Sequence, residues 1–172
     1  MKIAVIGYSG SGKSTLSRKL GELYQVPVLH LDSVQFLPNW KTRSTEEQGK
    51  IVQTFLNDNP SGWVIDGNYN KLSYERRIIE ADIIIQLLFS RKDCLLRCIN
   101  RYRTYKGKTR PDMAVCCDEK LDFDFIKWIL WDGRSKNLLQ NRYVRVQNEY
   151  PSKVVVLCNQ QQLNGYLQNL KD

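Results

Sequence analysis

Short apolar runs that alternate with helix-compatible stretches predict an α/β chain, with a five-stranded parallel sheet between two helical layers. Two further observations support this class. The runs are nearly continuous in Ile, Val and Leu, as suits strands buried on both faces. Each is separated from the next by helical sequence, which implies right-handed crossovers between parallel neighbours. In such a sheet a ligand lies outside the carboxyl ends of the strands.

In chain order, the first strand is Lys2–Gly7, and a helix runs from Ser14 to about Tyr24. Pro27–Leu31 reads as a short second strand. Thr45–Asn57 has helical spacing at Ile51, Val52, Phe55 and Leu56, with Ser44 or Thr45 as its cap. Asn59-Pro60-Ser61-Gly62 is a turn before a third strand, Trp63–Ile65. Ile83–Phe89 is the fourth strand and Val154–Leu157 the fifth, and a closing helix spans about Gln161–Leu170. The stretch Tyr102–Asp118 breaks the periodicity and is poor in apolar residues. It is expected to be a basic mobile lid, an insertion over about 102–120 that lies over the site without adding to the core. At 172 residues the chain is expected to be one domain, 1–172.

Between the first strand and the first helix stands Gly7-Tyr8-Ser9-Gly10-Ser11-Gly12-Lys13-Ser14, which matches G-x-x-x-x-G-K-[ST]. Glycines let the backbone curl into a nest of N–H donors, and the helix start adds partial positive charge for a phosphate. The position between strand and helix is where that chemistry requires it. Gly7 through Thr15 are therefore assigned to a nucleoside triphosphate. Lys13 reaches its β- and γ-phosphates, and Ser14 holds Mg²⁺. The fold expected is the three-layer P-loop NTPase fold.

Other residues extend the site. Asp66 ends the third strand and is either a second Mg²⁺ contact or a cap for the next segment. Asp32 follows the second strand and either takes the proton of an acceptor hydroxyl or caps a turn. Strand alternation puts His30, the one histidine, on the face of Asp32, and it is taken as structural. Arg97 and Arg101, four apart, project from one side of a helix, either toward phosphate or into solvent. Arg134 follows a helix carrying Phe125, Trp128 and Ile129 and is a third cation able to swing in. Phe36, Trp40 and Tyr69 flank an acceptor pocket or serve ordinary loop packing.

Composition narrows the classes. No apolar stretch approaches a membrane span, and nothing near Met1 resembles a signal peptide, so a cytoplasmic location is expected. The five cysteines contain no C-x-x-C pair, which argues against a disulfide framework or a four-ligand zinc site. Cys94 and Cys98 read as core residues on a helix, and Cys116-Cys117 as an oxidation-prone pair. The net charge of +8 is uneven: between Arg91 and Arg110, eight Lys and Arg face Asp93 alone, a net +7. Such a field attracts polyanions, either a triphosphate or a nucleic acid backbone.

With these residues in place, the chain resembles small P-loop kinases of the adenylate kinase and shikimate kinase type. Leu29-His30-Leu31-Asp32, Pro38-Asn39-Trp40 and Trp63–Tyr69 are similar to bacterial DNA topology modulation proteins, grouped with adenylate-kinase-related ATPases. The resemblance implies that Arg97 stacks on or borders the ATP base, that Arg101 lies on the phosphates and that Arg134 is a flap-side arginine. Asp32-Ser33-x-x-Phe36 is similar to the segment after strand two in uridine-kinase-type enzymes, which implies that Asp32 serves as base. Asn68-Tyr69-Asn70 departs from the Phe-Pro-Arg with which adenylate kinases grip AMP. His30-Leu31-Asp32 carries one acid where shikimate kinases have two. The function expected is an ATP- and Mg²⁺-dependent phosphotransferase acting on a nucleotide, nucleoside or other small acceptor, as a monomer. The alternative is an ATP-binding regulator associated with nucleic acid, although no nucleic-acid-binding motif is present.

Overall fold

The computed structural model describes residues 1–110 and 112–170. Its parallel sheet comprises β1 (Lys2–Gly7), β2 (Val28–His30), β5 (Trp63–Asp66), β6 (Ile83–Leu87) and β7 (Val154–Leu157). The order across the sheet is β2-β5-β1-β6-β7. The five-stranded α/β expectation holds. Pleating sends Ala4 and Ile6 of β1 to one face, where they meet Val52, Leu56, Ile78 and Val146. Ile3 and Val5 go to the other face, against Leu16, Leu20, Cys94 and Cys98. Residues buried on both faces explain why the strands are continuously apolar.

One helical layer holds α1 (Lys13–Tyr24), α5 (Arg91–Tyr105) and α9 (Gln160–Asn169). The other holds α3 (Thr45–Asp58), α4 (Tyr74–Glu80) and α8 (Arg145–Glu149). Ser44 caps α3 in a reciprocal capping box with Glu47, its Oγ accepting from the Glu47 N–H at 3.2 Å.

Several boundaries differ from the sequence reading. β2 ends at His30, and Leu31–Gln35 turns into the helix α2. His30 and Asp32 therefore do not share a strand face. β6 stops at Leu87, two residues short of Phe89. Between α2 and α3 lies a small hairpin, β3 (Phe36–Leu37) and β4 (Lys41–Thr42), joined through the one-turn helix Pro38–Trp40. α6 (Phe123–Leu130) leads through a turn to α7 (Lys136–Leu138), a π-helical stretch Leu139–Val144 and α8.

The expected lid also differs in its packing. Its helical part belongs to α5, and the segment beyond folds down on the hairpin. Trp40 donates from Nε1 to the Asp118 carbonyl at 3.1 Å, and the Cys117 thiol donates to the Leu37 carbonyl at 3.3 Å. Cys117 and Met113 are buried there, so the segment does bury apolar atoms, contrary to the expectation. Pro111 lies outside the described residues. Cys116 is exposed while Cys117 is covered, so the pair is not uniformly open to oxidants.

Arg77 on α4 braces the end of β5. Fully buried, it donates to the carbonyls of Leu72 (2.9 Å), Gly67 (3.3 Å) and Tyr69 (2.8 Å). Burial lowers its pKa to about 10. Arg77→Ala strips three buried carbonyls of their donor and opens a cavity. It is expected to cost about 3 kcal/mol or more in urea unfolding, with the midpoint falling accordingly.

Candidate functional site

The loop after β1 is shaped by close backbone contacts. Gly7 has φ +150°, and a Cβ there would lie 2.4 Å from the Leu87 carbonyl oxygen. Gly10 has φ +78°, and its Cβ would strike the Cys94 carbonyl and the Cys98 sulfur, each at 2.6 Å. Any larger residue at either position would push the loop off the sheet. Cys94 and Cys98 thus form the floor beneath the loop, and burial raises both thiol pKa values. Lys13 folds its ammonium back over the loop and donates to the Gly7 and Tyr8 carbonyls, both at 3.0 Å. Burial lowers its pKa from the ordinary lysine value, against the pull of Asp32 and Asp66.

Ser9, Gly10 and Gly12 through Thr15 line a cavity of about 1190 Å³ that continues past Asp32 to the hairpin. Asp32 sits on α2, where its Oδ1 accepts from the Tyr69 hydroxyl at 2.6 Å. Burial and then the Asp32 charge raise the Tyr69 pKa far out of reach, so the phenol remains a donor. Phe36 and Trp40 also line the cavity and meet edge to face, with ring centroids 5.1 Å apart.

Asp66, buried at the end of β5, accepts from Ser14 Oγ at 3.4 Å and contacts His30 Nδ1 at 2.5 Å. A hydroxyl and a carboxylate side by side at the phosphate loop suit a hard divalent ion such as Mg²⁺. Among the described residues, no group of three His, Cys, Asp or Glu side chains could hold a metal alone. Ser14 and Asp66 are therefore the residues that would hold such an ion, together with groups from outside the chain.

His30 has an upward-shifted pKa. Burial works to lower it, but the hydrogen bond and charge of Asp66 outweigh that term. A base whose pKa is raised on folding stabilises the fold fully below its unfolded pKa of about 6.5 and loses that contribution as pH rises through the folded value. The thermal midpoint should decline across that window, and His30→Gln should flatten the decline. A parallel slope in the variant would exclude the pair as its source.

Arg97 and Arg101 both line the cavity. Arg97 lies over the Phe89 ring, donating to the Ser11 carbonyl at 2.8 Å and to Gln160 Oε1 at 2.5 Å. Arg101 pairs with Glu119 Oε1 at 2.7 Å, and Glu119 also holds Arg110 Nε at 2.6 Å. Arg134 stands apart from the other two. It donates to the Ile129, Phe89 and Ser90 carbonyls and lies 3.8 Å from the centroid of the Tyr8 ring, outside the cavity lining. Three backbone acceptors and a ring face use its fork, so in this conformation it supports the loop and does not reach a ligand.

Two residues of the site were not singled out from sequence. Trp128 lines the cavity and donates from Nε1 to Ser9 Oγ of the loop at 3.1 Å. Asn68, which also lines it, bonds the backbone of Gly7. The sequence puts Trp128 on a helix with Phe125 and Ile129 and Asn68 in the segment that departs from the adenylate kinase pattern, but neither placement indicates a bond to the loop.

No protein-family model and no curated protein matches the chain. Solved structures do. A shikimate kinase from Acinetobacter baumannii in complex with shikimate superposes at TM-score 0.57 with 16% identity, covering 99% of this chain and 90% of that one. The chain shares the fold of that kinase. An uncharacterized protein from Eubacterium ventriosum aligns at TM-score 0.50 and 17% identity, over 99% of this chain and 97% of the other. At such identities the likeness extends to the fold and its five-stranded sheet. Among the described residues, no helix is long and apolar enough to cross a membrane.

Proposed function

We propose that the chain is a phosphotransferase that moves the γ-phosphoryl group of ATP to a small acceptor bearing a hydroxyl or phosphate. One observation carries this reading. The phosphate loop and the Asp32 carboxylate line one continuous cavity, and its 1190 Å³ exceeds the roughly 300–1,000 Å³ of a pocket for one small ligand. A nucleotide switch needs only the first half of that space.

The loop N–H groups and Lys13 would grip the triphosphate, with Arg97 on the base side and Arg101 toward the phosphates. A Mg²⁺ at Ser14 and Asp66 supplies charge neutralisation of the phosphate oxygens. Tyr69 engages one oxygen of Asp32. The carboxylate receives the proton of the acceptor hydroxyl while that oxygen bonds to the γ-phosphorus. The bridging P–O bond breaks with its electron pair going to the diphosphate. The segment packed on the hairpin lines the cavity through Arg110, Asp112, Met113 and Glu119, and its closing over bound substrates would exclude water, which favours transfer over hydrolysis.

The nucleic-acid reading would have to rest on the exposed cations Lys92, Arg103, Lys106 and Lys108, because Arg91, Arg97, Arg101 and Arg110 are engaged with protein groups. The resemblance to topology modulation proteins rests on the segments around Asp32, Trp40 and Asp66. The deciding experiment incubates the protein with γ-labelled ATP, Mg²⁺ and a panel of nucleotides, nucleosides and sugars. A labelled acceptor is expected. Inorganic phosphate alone under every condition would overturn the reading.

A further inference from the structure

In a parallel sheet, alternate residues of a strand turn both peptide groups toward the same neighbour. On β1, Val5 faces β5, where its carbonyl accepts from the Gly67 N–H at 3.1 Å. Tyr8 faces the opposite side and donates to the Leu87 carbonyl at 3.1 Å. Gly7 has the parity of Val5, so its N–H and C=O point toward the strand β5 would provide if it continued. It does not continue. At Gly67, with φ +130°, the chain turns away.

The carboxamide of Asn68 stands in for the missing peptide. Its Oδ1 accepts from the Gly7 N–H at 3.1 Å, and its Nδ2 donates to the Gly7 carbonyl at 2.7 Å. The second Nδ2 hydrogen reaches the Tyr143 hydroxyl at 3.3 Å. Only this orientation works, since a flipped amide would set donor against donor at Gly7 N and acceptor against acceptor at Gly7 O. The segment carrying the amide is itself clamped, because Arg77 holds the carbonyls of Gly67 and Tyr69 on either side of Asn68.

The Gly7 carbonyl is also one of the two oxygens on which the Lys13 ammonium rests. When Lys13 moves to a phosphate, that carbonyl loses one donor, and Asn68 keeps it satisfied. We propose that Asn68 is a positioning residue that extends the sheet by one side-chain step and holds the first residue of the phosphate loop in register while Lys13 transfers from loop carbonyls to a triphosphate. The inference rests on the phosphotransfer reading for its ligand. The geometry at Gly7 stands without it.

Two variants test it. Asn68→Ala removes both bonds, and Asn68→Asp keeps the size but turns an oxygen toward the Gly7 carbonyl. In the ligand-free chain, amide hydrogen exchange of Gly7 through Gly12 should accelerate about tenfold or more in both, while the strand amides of β6 stay protected. Calorimetry with the Mg²⁺ complex of adenylyl imidodiphosphate should show affinity weakened about tenfold at a stoichiometry still near one, and acceptor KM should move less than about twofold. A variant that was merely less folded would lower the stoichiometry and leave the affinity of the remainder unchanged. Unaltered loop exchange, unaltered affinity in a folded variant, or unfolding of both variants would overturn the proposal. If the parent chain binds no nucleotide, the phosphotransfer reading fails, and the exchange data still decide whether Asn68 holds the loop.

Discussion

Replacing Lys13 with alanine is expected to abolish phosphoryl transfer and leave the fold in place. The ammonium already sits over the loop, held by two carbonyls and drawn by the charges of Asp32 and Asp66. Its loss removes the one side-chain cation that the loop itself carries to the transferring group, and turnover should fall by about a thousandfold or more. The stability effect has the opposite character. A buried base with a lowered pKa charges more readily in the unfolded chain, so its burial weakens the fold at neutral pH and less so as pH rises toward the lysine range. Lys13→Ala should therefore keep its thermal midpoint within about 3 °C of the parent. Turnover in a labelled-ATP assay and a melting curve check the two halves. Retained turnover would remove Lys13 from the chemistry.

Asp32→Asn separates proton transfer from positioning. The asparagine oxygen still accepts from the Tyr69 hydroxyl, so the 2.6 Å contact has a substitute and the pocket wall keeps its shape. What disappears is the basic oxygen. The expected result is a fall in kcat of about a hundredfold to ten-thousandfold, with triphosphate affinity within about twofold of the parent. Single-turnover kinetics beside calorimetric titration would show it. A large loss of triphosphate affinity with intact kcat would place Asp32 on the donor side.

The sheet and the phosphate loop were legible in the sequence because both are written locally. The strands are nearly continuous apolar runs, and the loop needs glycine at positions where a Cβ meets backbone, as at Gly7 and Gly10. α2 was missed because five residues, Leu31–Gln35, are too few to display a helical period. The β3–β4 hairpin has only two residues per strand. α4 carries Arg76 and Arg77 at its centre, and nothing local indicates that one is half-buried and the other fully buried. The stretch before β7 contains a π-helical segment, which breaks the 3.6-residue spacing. The packing of Arg134 was not legible because a Gly-Arg step does not reveal that three carbonyls from two other segments converge on it. Asn68 was invisible for a related reason: its partner is a peptide group 61 residues away.

The ion cluster around Glu119 changes what the formal charge means. Its carboxylate serves Arg101 and Arg110 together, and Arg110 also pairs with Asp112 at 2.9 Å. This stretch of the cavity wall is thus already neutralised by its own acids. A polyphosphate arriving there exchanges with resident counter-ions and does not fall into an open field of positive potential. Attraction is left to other cations of the lining, such as Lys71 and Lys120, and selectivity to the geometry of that exchange, so the two properties are set by different residues.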